Sequence, residues 1–117
     1  MWWLVDEKRL LGMLGIACKA GKVVCGADSC EEAIIKNKIK LMLVAQDASE
    51  RTKTKFKVLA NSKKIPIYEV ANIEILSKSI GKNNKAVVGI LDENFSKALI
   101  KIINGGGEFW VKSKYMK

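Results

Sequence analysis

The chain carries one continuous apolar run near its middle, Leu41-Met42-Leu43-Val44-Ala45. Five residues are too few for a helix of ordinary length, so the run predicts a strand. A strand without polar positions has no face to turn to water, and we expect helices to cover it on both sides. This stretch therefore favours a layered α/β fold.

Outward from this run, apolar spacing predicts five helices and three further strands. We expect the helices over about 6–20, 28–38, 50–61, 72–81 and 93–104. We expect the strands over 22–25, 65–70 and 86–91, and Pro66 places its strand at a sheet edge or at a strand start. The order α-β-α-β-α-β-α-β-α is typical of a three-layer α/β/α sandwich, and such regular alternation favours a mainly parallel sheet.

Polar residues before the helices are candidate N-caps. They are Asp47 or Ser49 for the third helix, Asn72 for the fourth and Asp92 for the last. Two interpretations of the second helix stay open. Ser29 and Glu32 form an S-x-x-E capping box, with Asp28 as an alternative N-cap. Otherwise the free N–H groups after Gly26, at the positive end of the helix dipole, are available to a phosphate.

Length and composition predict one compact domain. The chain has 117 residues, 49% of them hydrophobic, and shows no internal repeat or interdomain linker. We expect a single domain over 1–104 and a Gly-rich, basic and aromatic tail over 105–117. No apolar run reaches the roughly 18 residues of a membrane span. The start, Met1 to Glu7, lacks the basic region of a signal peptide, so we expect a cytoplasmic protein.

The residue inventory argues against catalysis and metal binding. The chain has no histidine, which excludes a Ser-His-Asp triad, a Cys-His pair and a zinc site with histidine ligands. Cys18, Cys25 and Cys30 lack C-x-x-C spacing, so we interpret them as buried free thiols. No Walker A or G-x-G-x-x-G motif is present. We therefore expect no enzymatic activity, no cofactor and no metal.

The charge is strongly positive and unevenly placed. The formal net charge is +9. Residues 1–50 carry seven bases and seven acids, and residues 51–117 carry fourteen bases and five acids. Six of these bases fall close together at Arg51, Lys53, Lys55, Lys57, Lys63 and Lys64. This basic stretch is either a solvated helix face or a surface for a polyanion. Lys78, Lys82 and Lys85 surround a second glycine turn, which forms one basic ledge with Gly26 if the two turns are neighbours.

Four segments in order resemble the kink-turn RNA-binding ribosomal-protein family (ribosomal L7Ae/L30e), most closely its short bacterial, YlxQ-like branch. They are LGMLGIACKAGKVVCG at 11–26, KLMLVAQDAS at 40–49, IPIY at 65–68 and LSKSIGK at 76–82. The resemblance covers about residues 8–104. It implies a three-layer α/β/α sandwich with a four-stranded mixed sheet. It also implies that the second-helix turn and the loop around the fourth helix contact RNA.

The resemblance and the basic residues around it define the RNA-binding candidates. They are Lys22, Gly26, Ala27, Asp28, Ser29, Glu32, Lys36, Gln46, Asp47, Lys78, Ser79, Ile80, Gly81 and Lys82. In the family, the second-helix turn reads sheared G·A pairs and the fourth-helix loop receives an extruded nucleotide. Lys78 falls where the family usually has an arginine.

Two hypotheses of function follow. The first is a non-enzymatic, monomeric, cytoplasmic protein that binds structured, kink-turn-like RNA and associates with the ribosome or another ribonucleoprotein, without membrane contact. The alternative is a protein-interaction module on the same scaffold, since a fold does not fix a function. In that case Asp28, Ser29 and Glu32 are only helix caps, and the basic stretch is a solvated face or docks a protein.

Overall fold

The computed structural model describes residues 7–105 and 112–113. Five helices alternate with strands in the predicted order. The helices are α1 (Glu7–Lys19), α2 (Ala27–Ile35), α3 (Glu50–Ser62), α4 (Ile73–Ser79) and α5 (Glu93–Gly105). The strands are β1 (Val23–Cys25), β2 (Leu41–Val44), β3 (Ile67–Glu69), β4 (Val87–Ile90) and β5 (Lys112–Ser113).

The sheet is mixed, in the order β1-β4-β2-β3-β5. Among its strand pairs only β2 and β3 run parallel, while β4 is antiparallel to both of its neighbours and β5 is antiparallel to β3. The expectation of a mainly parallel sheet from alternation alone is therefore wrong. The physical reason is that the connection over 70–86 leaves β3 and enters β4 at the same end of the sheet, where Gln46 N bonds the Ala71 carbonyl and Ala45 N bonds the Ala86 carbonyl, so β4 runs back antiparallel to β2. The mixed four-stranded sheet implied by the resemblance is confirmed as β1-β4-β2-β3. The two-residue β5 is an additional outer strand beside β3.

The central apolar run is buried on both faces, as predicted. Leu41, Leu43 and Ala45 pack in the core on the side of α1, α4 and α5. Met42 and Val44 alternate with them and pack against α2 and α3. Because successive strand side chains point to opposite faces, five consecutive residues fill both cores of the sandwich.

Three helix starts and one strand start match their predicted signals. Ser49 accepts a hydrogen bond from Thr52 N, Asn72 from Ile75 N and Asp92 from Phe95 N. Pro66 stands directly before β3, where its missing N–H costs no strand pairing. Within the described residues, no helix is both long and apolar enough to cross a bilayer.

Several predictions concern residues that are not described. The expectation about the start of the chain and most of the predicted tail, with its aromatic residues Phe109, Trp110 and Tyr115, lie outside the described residues. Of this tail the structure describes Gly105, which ends α5, and Lys112–Ser113, the strand that pairs with β3. The division into a domain and a tail stays a prediction.

Candidate nucleic-acid interface

The candidate site lies at one end of the strands, where β1, β2 and β3 end and β4 begins. We call this end of the sheet the carboxyl edge. Three backbone hydrogen bonds join its connections. Gly26 N donates to the Val87 carbonyl over 3.0 Å, and Ala45 N donates to the Ala86 carbonyl over 2.9 Å. Gln46 N donates to the Ala71 carbonyl, also over 2.9 Å. These bonds hold the turn before α2, the end of β2 and the residues before α4 side by side.

The turn before α2 depends on glycine. Gly26 has φ 89° and ψ 153°, a conformation that residues with a side chain rarely adopt. It is the N-cap of α2, and its carbonyl accepts the first helical hydrogen bond, from Cys30 N. The strand pairing of Gly26 with Val87 fixes this turn, so the helix begins at Ala27.

No side chain caps α2, so the predicted capping by Asp28, or by Ser29 with Glu32, is wrong. The physical reason is the early start of the helix. Since α2 begins at Ala27, Asp28 and Ser29 already lie in its first turn, whereas an N-cap residue must directly precede the helix. The first N–H groups of α2 are therefore left without a side-chain cap, next to three exposed residues, Ala27, Asp28 and Ser29.

Glu32 has a different partner. Lys36 Nζ donates a hydrogen bond to Glu32 Oε2 over 2.9 Å, one turn further along α2. This contact lowers the pKa of the exposed Glu32 carboxyl. The pair offsets the Glu32 charge within the helix itself.

The fourth-helix loop is anchored from two sides. The buried Ser77 hydroxyl accepts a hydrogen bond from Lys85 N over 2.7 Å and donates one to the Lys85 carbonyl over 3.1 Å, which closes the loop onto α4. On the other side, Gly15 lets α1 approach closely, because a Cβ atom there would lie 3.1 Å from the Ser79 carbonyl. Cys18 Sγ reaches the Ile80 carbonyl at 3.6 Å. The loop is thus held by both α1 and α4.

The candidates in this loop differ in accessibility. Lys78, Gly81 and Lys82 are exposed, and Ser79 is half-buried, with its hydroxyl donating to the Leu76 carbonyl. The side chain of Ile80 is buried in the core on the α1 side, so it supports the loop from inside.

The end of β2 is joined to the start of α4. Asp47 Oδ1 accepts a hydrogen bond from Ile73 N over 2.8 Å, so Asp47 serves α4 and not α3, which Ser49 caps. Gln46 is half-buried beside it. Asp47 and Gln46 therefore link the end of β2 to the start of α4 at the carboxyl edge.

Lys85 is a site residue that the candidate set does not include. A methyl group at Gly26 would lie 3.6 Å from Lys85 Nζ, so the ammonium group stands directly beside the glycine turn. The Gly26 turn and the lysine-bearing loop, which were predicted to form one basic ledge if they were neighbours, therefore meet at the Lys85 side chain. The sequence signal was the third lysine after Lys78 and Lys82, but only the fold shows that it is the one in contact.

Two predicted candidates lie elsewhere. Lys22 precedes β1 and Lys36 follows α2, which places both at the opposite end of the sheet from Gly26. A four-residue strand step corresponds to about 13 Å. Lys22 is therefore not brought together with the candidates around Gly26, whereas the Lys36 side chain reaches back to one candidate, Glu32.

The basic stretch on α3 is partly neutralised. Lys53 Nζ lies 3.7 Å from Glu69 Oε1, a carboxylate that is only 4% exposed, and Lys55 Nζ lies 2.8 Å from Glu31 Oε1. Both acids are distant in sequence, so the count of bases overstated the free charge. At least two of the six bases connect α3 to β3 or α2.

The cysteines are free, but only Cys30 is fully buried. Cys18 and Cys25 are half-buried, so the expectation of three buried thiols holds for one of them. Burial raises the pKa of the Cys30 thiol to about 12, with a smaller contribution from Cys25. A thiol that stays protonated at neutral pH is a poor nucleophile. In the described ranges, no group of three or more acidic or cysteine side chains is placed to hold a metal ion.

This fold and this arrangement of loops define a class of α/β sandwich related to ribosomal proteins. The chain belongs to the ribosomal protein L7Ae/L30e/S12e/Gadd45 family, whose model matches residues 8–100. It is similar to the RNA-binding protein YlxQ of Enterococcus faecium, at 33% identity over 86% of this chain and 96% of that protein. It is also similar to the RNA-binding protein YlxQ of Bacillus subtilis (strain 168), at 36% identity over 79% and 92%.

Solved structures share the fold. A Bacillus halodurans C protein of unknown function matches with a TM-score of 0.78 and 30% identity, over 80% of this chain and 95% of that one. A Giardia lamblia 15.5kD RNA binding protein matches with a TM-score of 0.71, over 86% and 88%. At 15% identity, this second likeness concerns the fold alone. The family is a non-enzymatic class, and the chain is accordingly not an enzyme.

Proposed function

We propose that the protein binds structured RNA of the kink-turn type through its carboxyl edge. The observation that carries this proposal is the meeting of three elements at one edge: the uncapped start of α2, the end of β2 and the anchored fourth-helix loop. The names of the two YlxQ relatives support RNA as the partner. The carboxyl-edge set comprises Gly26, Ala27, Asp28, Ser29, Glu32, Gln46, Asp47, Lys78, Ser79, Gly81, Lys82 and Lys85, with Ile80 as its internal support.

Each part of this edge suits a different feature of folded RNA. The free N–H groups at the start of α2 and the positive end of its dipole favour a phosphate or the acceptor edge of a base. Gly26 has no side chain, so an RNA backbone or base edge can approach the turn closely. Lys78, Lys82 and Lys85 supply the electrostatic attraction that all RNA shares. In this proposal the turn recognises the shape of the RNA, and the lysines supply the electrostatic affinity.

The wider setting of the protein is part of the same proposal. We place it in the cytoplasm as a monomer, bound to the ribosome or to another ribonucleoprotein, with residues 1–104 as one RNA-binding domain. The alternative, a protein-interaction module, expected Asp28, Ser29 and Glu32 to be helix caps. Since none of them caps α2, that expectation has lost its support.

A fluorescence binding assay tests the proposal with two labelled RNAs, a kink-turn hairpin and a straight duplex of equal length. We expect tighter binding to the kink-turn hairpin at moderate salt. Lys78→Glu is expected to weaken this preference, because it puts a carboxylate in the exposed fourth-helix loop. Lys101→Glu, on the exposed side of α5, reverses one charge away from the site and serves as the matched control.

Equal, weak binding to both RNAs would exclude the kink-turn function. An unchanged preference in Lys78→Glu would place the site elsewhere on the molecule. Partners that are retained after nuclease treatment of a pull-down would favour the protein-interaction module.

A further inference from the structure

The opposite end of the sheet, where β1, β2 and β3 begin and β4 ends, carries a group of lysines. We call it the amino edge. Seven exposed lysines of the described residues lie at the helix end or in the connections that reach it: Lys19, Lys22, Lys36, Lys38, Lys40, Lys63 and Lys64. Among the described residues, two acids lie in the same connections and both are engaged, since Asp92 caps α5 and Glu93 lies 3.8 Å from Lys97 Nζ.

Strand pairing arranges several of these lysines in a row. The Lys22 carbonyl accepts a hydrogen bond from Leu91 N over 2.8 Å, and Lys40 N donates to the Ile90 carbonyl over 2.7 Å. Lys22 and Lys40 therefore flank the end of β4 from its two sides, about 10 Å apart at two strand spacings. The next strand along the edge is β3, and Lys64 lies shortly before it.

Most of these lysines have no acidic partner. Lys36 pairs with Glu32, but no carboxylate of the described residues lies within 4.0 Å of the other amino-edge ammonium groups. Neighbouring like charges repel one another, so this row destabilises the isolated protein slightly and attracts a polyanion.

Favourable interaction with helix dipoles gives a structural reason for only some of the amino-edge lysines. The negative ends of α1, α2 and α3 all point to the amino edge, and Lys19, Lys36 and Lys63 lie at those ends. The dipole effect fades within the last turn of a helix. The dipoles therefore give no structural reason for the ammonium groups of Lys22 and Lys40, which stand in the connections beyond the helix ends.

We propose that the amino edge is a second RNA-binding surface, which contacts the phosphate backbone of a duplex without reading its sequence. Among the described residues, no exposed aromatic side chain at this edge offers a platform for an unpaired base. A membrane surface requires a broad apolar face, and of the large apolar side chains that the structure describes, just Ile35 and Ile16, one turn before Lys19, are strongly exposed near this edge. The proposal takes RNA as the partner from the proposed function. One protein molecule then contacts RNA at both ends of its sheet.

The test measures how binding of a labelled straight RNA duplex, longer than about 16 base pairs, depends on salt. Lys22→Gln/Lys40→Gln removes two of the proposed phosphate contacts. We expect the log–log salt slope to fall by about 1.8, because each duplex contact contributes about 0.9. The ratio between the duplex affinities of the unmodified protein and of this double variant then falls about tenfold between 50 and 200 mM salt.

Lys8→Gln/Lys101→Gln removes the same charge from exposed positions on α1 and α5, outside both proposed surfaces, and is expected to keep the original slope. An unchanged slope in Lys22→Gln/Lys40→Gln would overturn the proposal, as would an equal fall in both double variants, which would reflect net charge alone. Loss of binding to anionic vesicles with unchanged duplex binding would overturn it in favour of a membrane. A thermal unfolding scan confirms that both double variants remain folded.

The two proposals fail in distinguishable ways. Lys22→Gln/Lys40→Gln is expected to lower affinity for the kink-turn hairpin and the straight duplex alike, and so to keep the ratio between them. If the unmodified protein shows no kink-turn preference but the slope falls as expected, only the carboxyl-edge proposal fails. If the preference is present and the slope is unchanged, only the amino-edge proposal fails.

Discussion

Gly26 is the residue at which the fold and the proposed site depend on the same backbone conformation. Its φ of 89° with ψ of 153° falls in a region that is nearly restricted to glycine. The turn cannot rotate freely to a more common conformation, because Gly26 N is bonded to the Val87 carbonyl and the Gly26 carbonyl accepts the first bond of α2. We therefore predict that Gly26→Ala strains the junction between β1 and α2.

The expected cost is about 1–3 kcal/mol, the usual range for a residue held in such a conformation. Steric crowding adds little, since the new methyl group would meet only the flexible Lys85 side chain, at 3.6 and 3.8 Å. For a domain of this size, each kcal/mol lowers the midpoint of thermal unfolding by about 4–8 °C. Calorimetry or circular dichroism measures this shift.

Gly12→Ala is the matched control, because it adds the same methyl group to the same protein. Gly12 lies in α1 and is exposed, with no atom within 4 Å of the position that a Cβ would take. Alanine is the better helix former, so we expect a gain of about 0.5–1 kcal/mol. The two substitutions should thus move the unfolding midpoint in opposite directions.

A Gly26→Ala protein as stable as the unmodified one would refute this account of the turn. Binding provides a second readout. Well below the unfolding temperature, the methyl group should still reduce the preference for the kink-turn hairpin, because it prevents close approach of RNA. Gly12→Ala should leave that preference unchanged.

Three further outcomes test the packing. Gly89→Ala would place a Cβ 2.5 Å from Ile39 Cδ1, so we expect a loss of about 1–3 kcal/mol by denaturant unfolding; the double variant with Ile39→Val should cost less than the two single changes together. Asp47→Ala should cost about 1 kcal/mol through the lost bond to Ile73 N, whereas Asp47→Asn, which keeps the acceptor oxygen, should retain most of the stability. The raised pKa of Cys30 means that only the unfolded chain loses this proton between about pH 9 and 12. Folding stability should therefore fall as the pH rises through that range, by up to about 1.4 kcal/mol per pH unit, and less steeply in Cys30→Ala.

Residues close in sequence made much of the fold predictable. The helices and strands depend on apolar spacing, and the N-caps Ser49, Asn72 and Asp92 each bond an N–H group three residues away. Local interactions of this kind can be predicted without knowledge of the fold. The cap of α2 was mispredicted because the start of that helix is fixed by a long-range bond, between Gly26 N and the Val87 carbonyl.

The candidate site was predictable only in part, and for a related reason. The resemblance pointed to the turn at Gly26 and the loop at Lys78, but it did not show that Lys85 lies beside the glycine. The charge count likewise treated Lys53 and Lys55 as free, although each has a carboxylate partner on another element. Pairs so distant in sequence exist only after the strands are assembled.

The amino-acid sequence by itself determined the alternation of elements, the doubly buried strand Leu41–Val44 and the family of the protein. These follow from local periodicity and from ordered segments of residues. Only the tertiary structure decided that β4 inserts antiparallel between β1 and β2. That insertion gathers the connections into two edges, with Gly26 at one and the row containing Lys22 and Lys40 at the other. The physical reason is that strand order and direction depend on long-range hydrogen bonds and on the packing of both cores. Neither can be predicted from a local segment of the sequence.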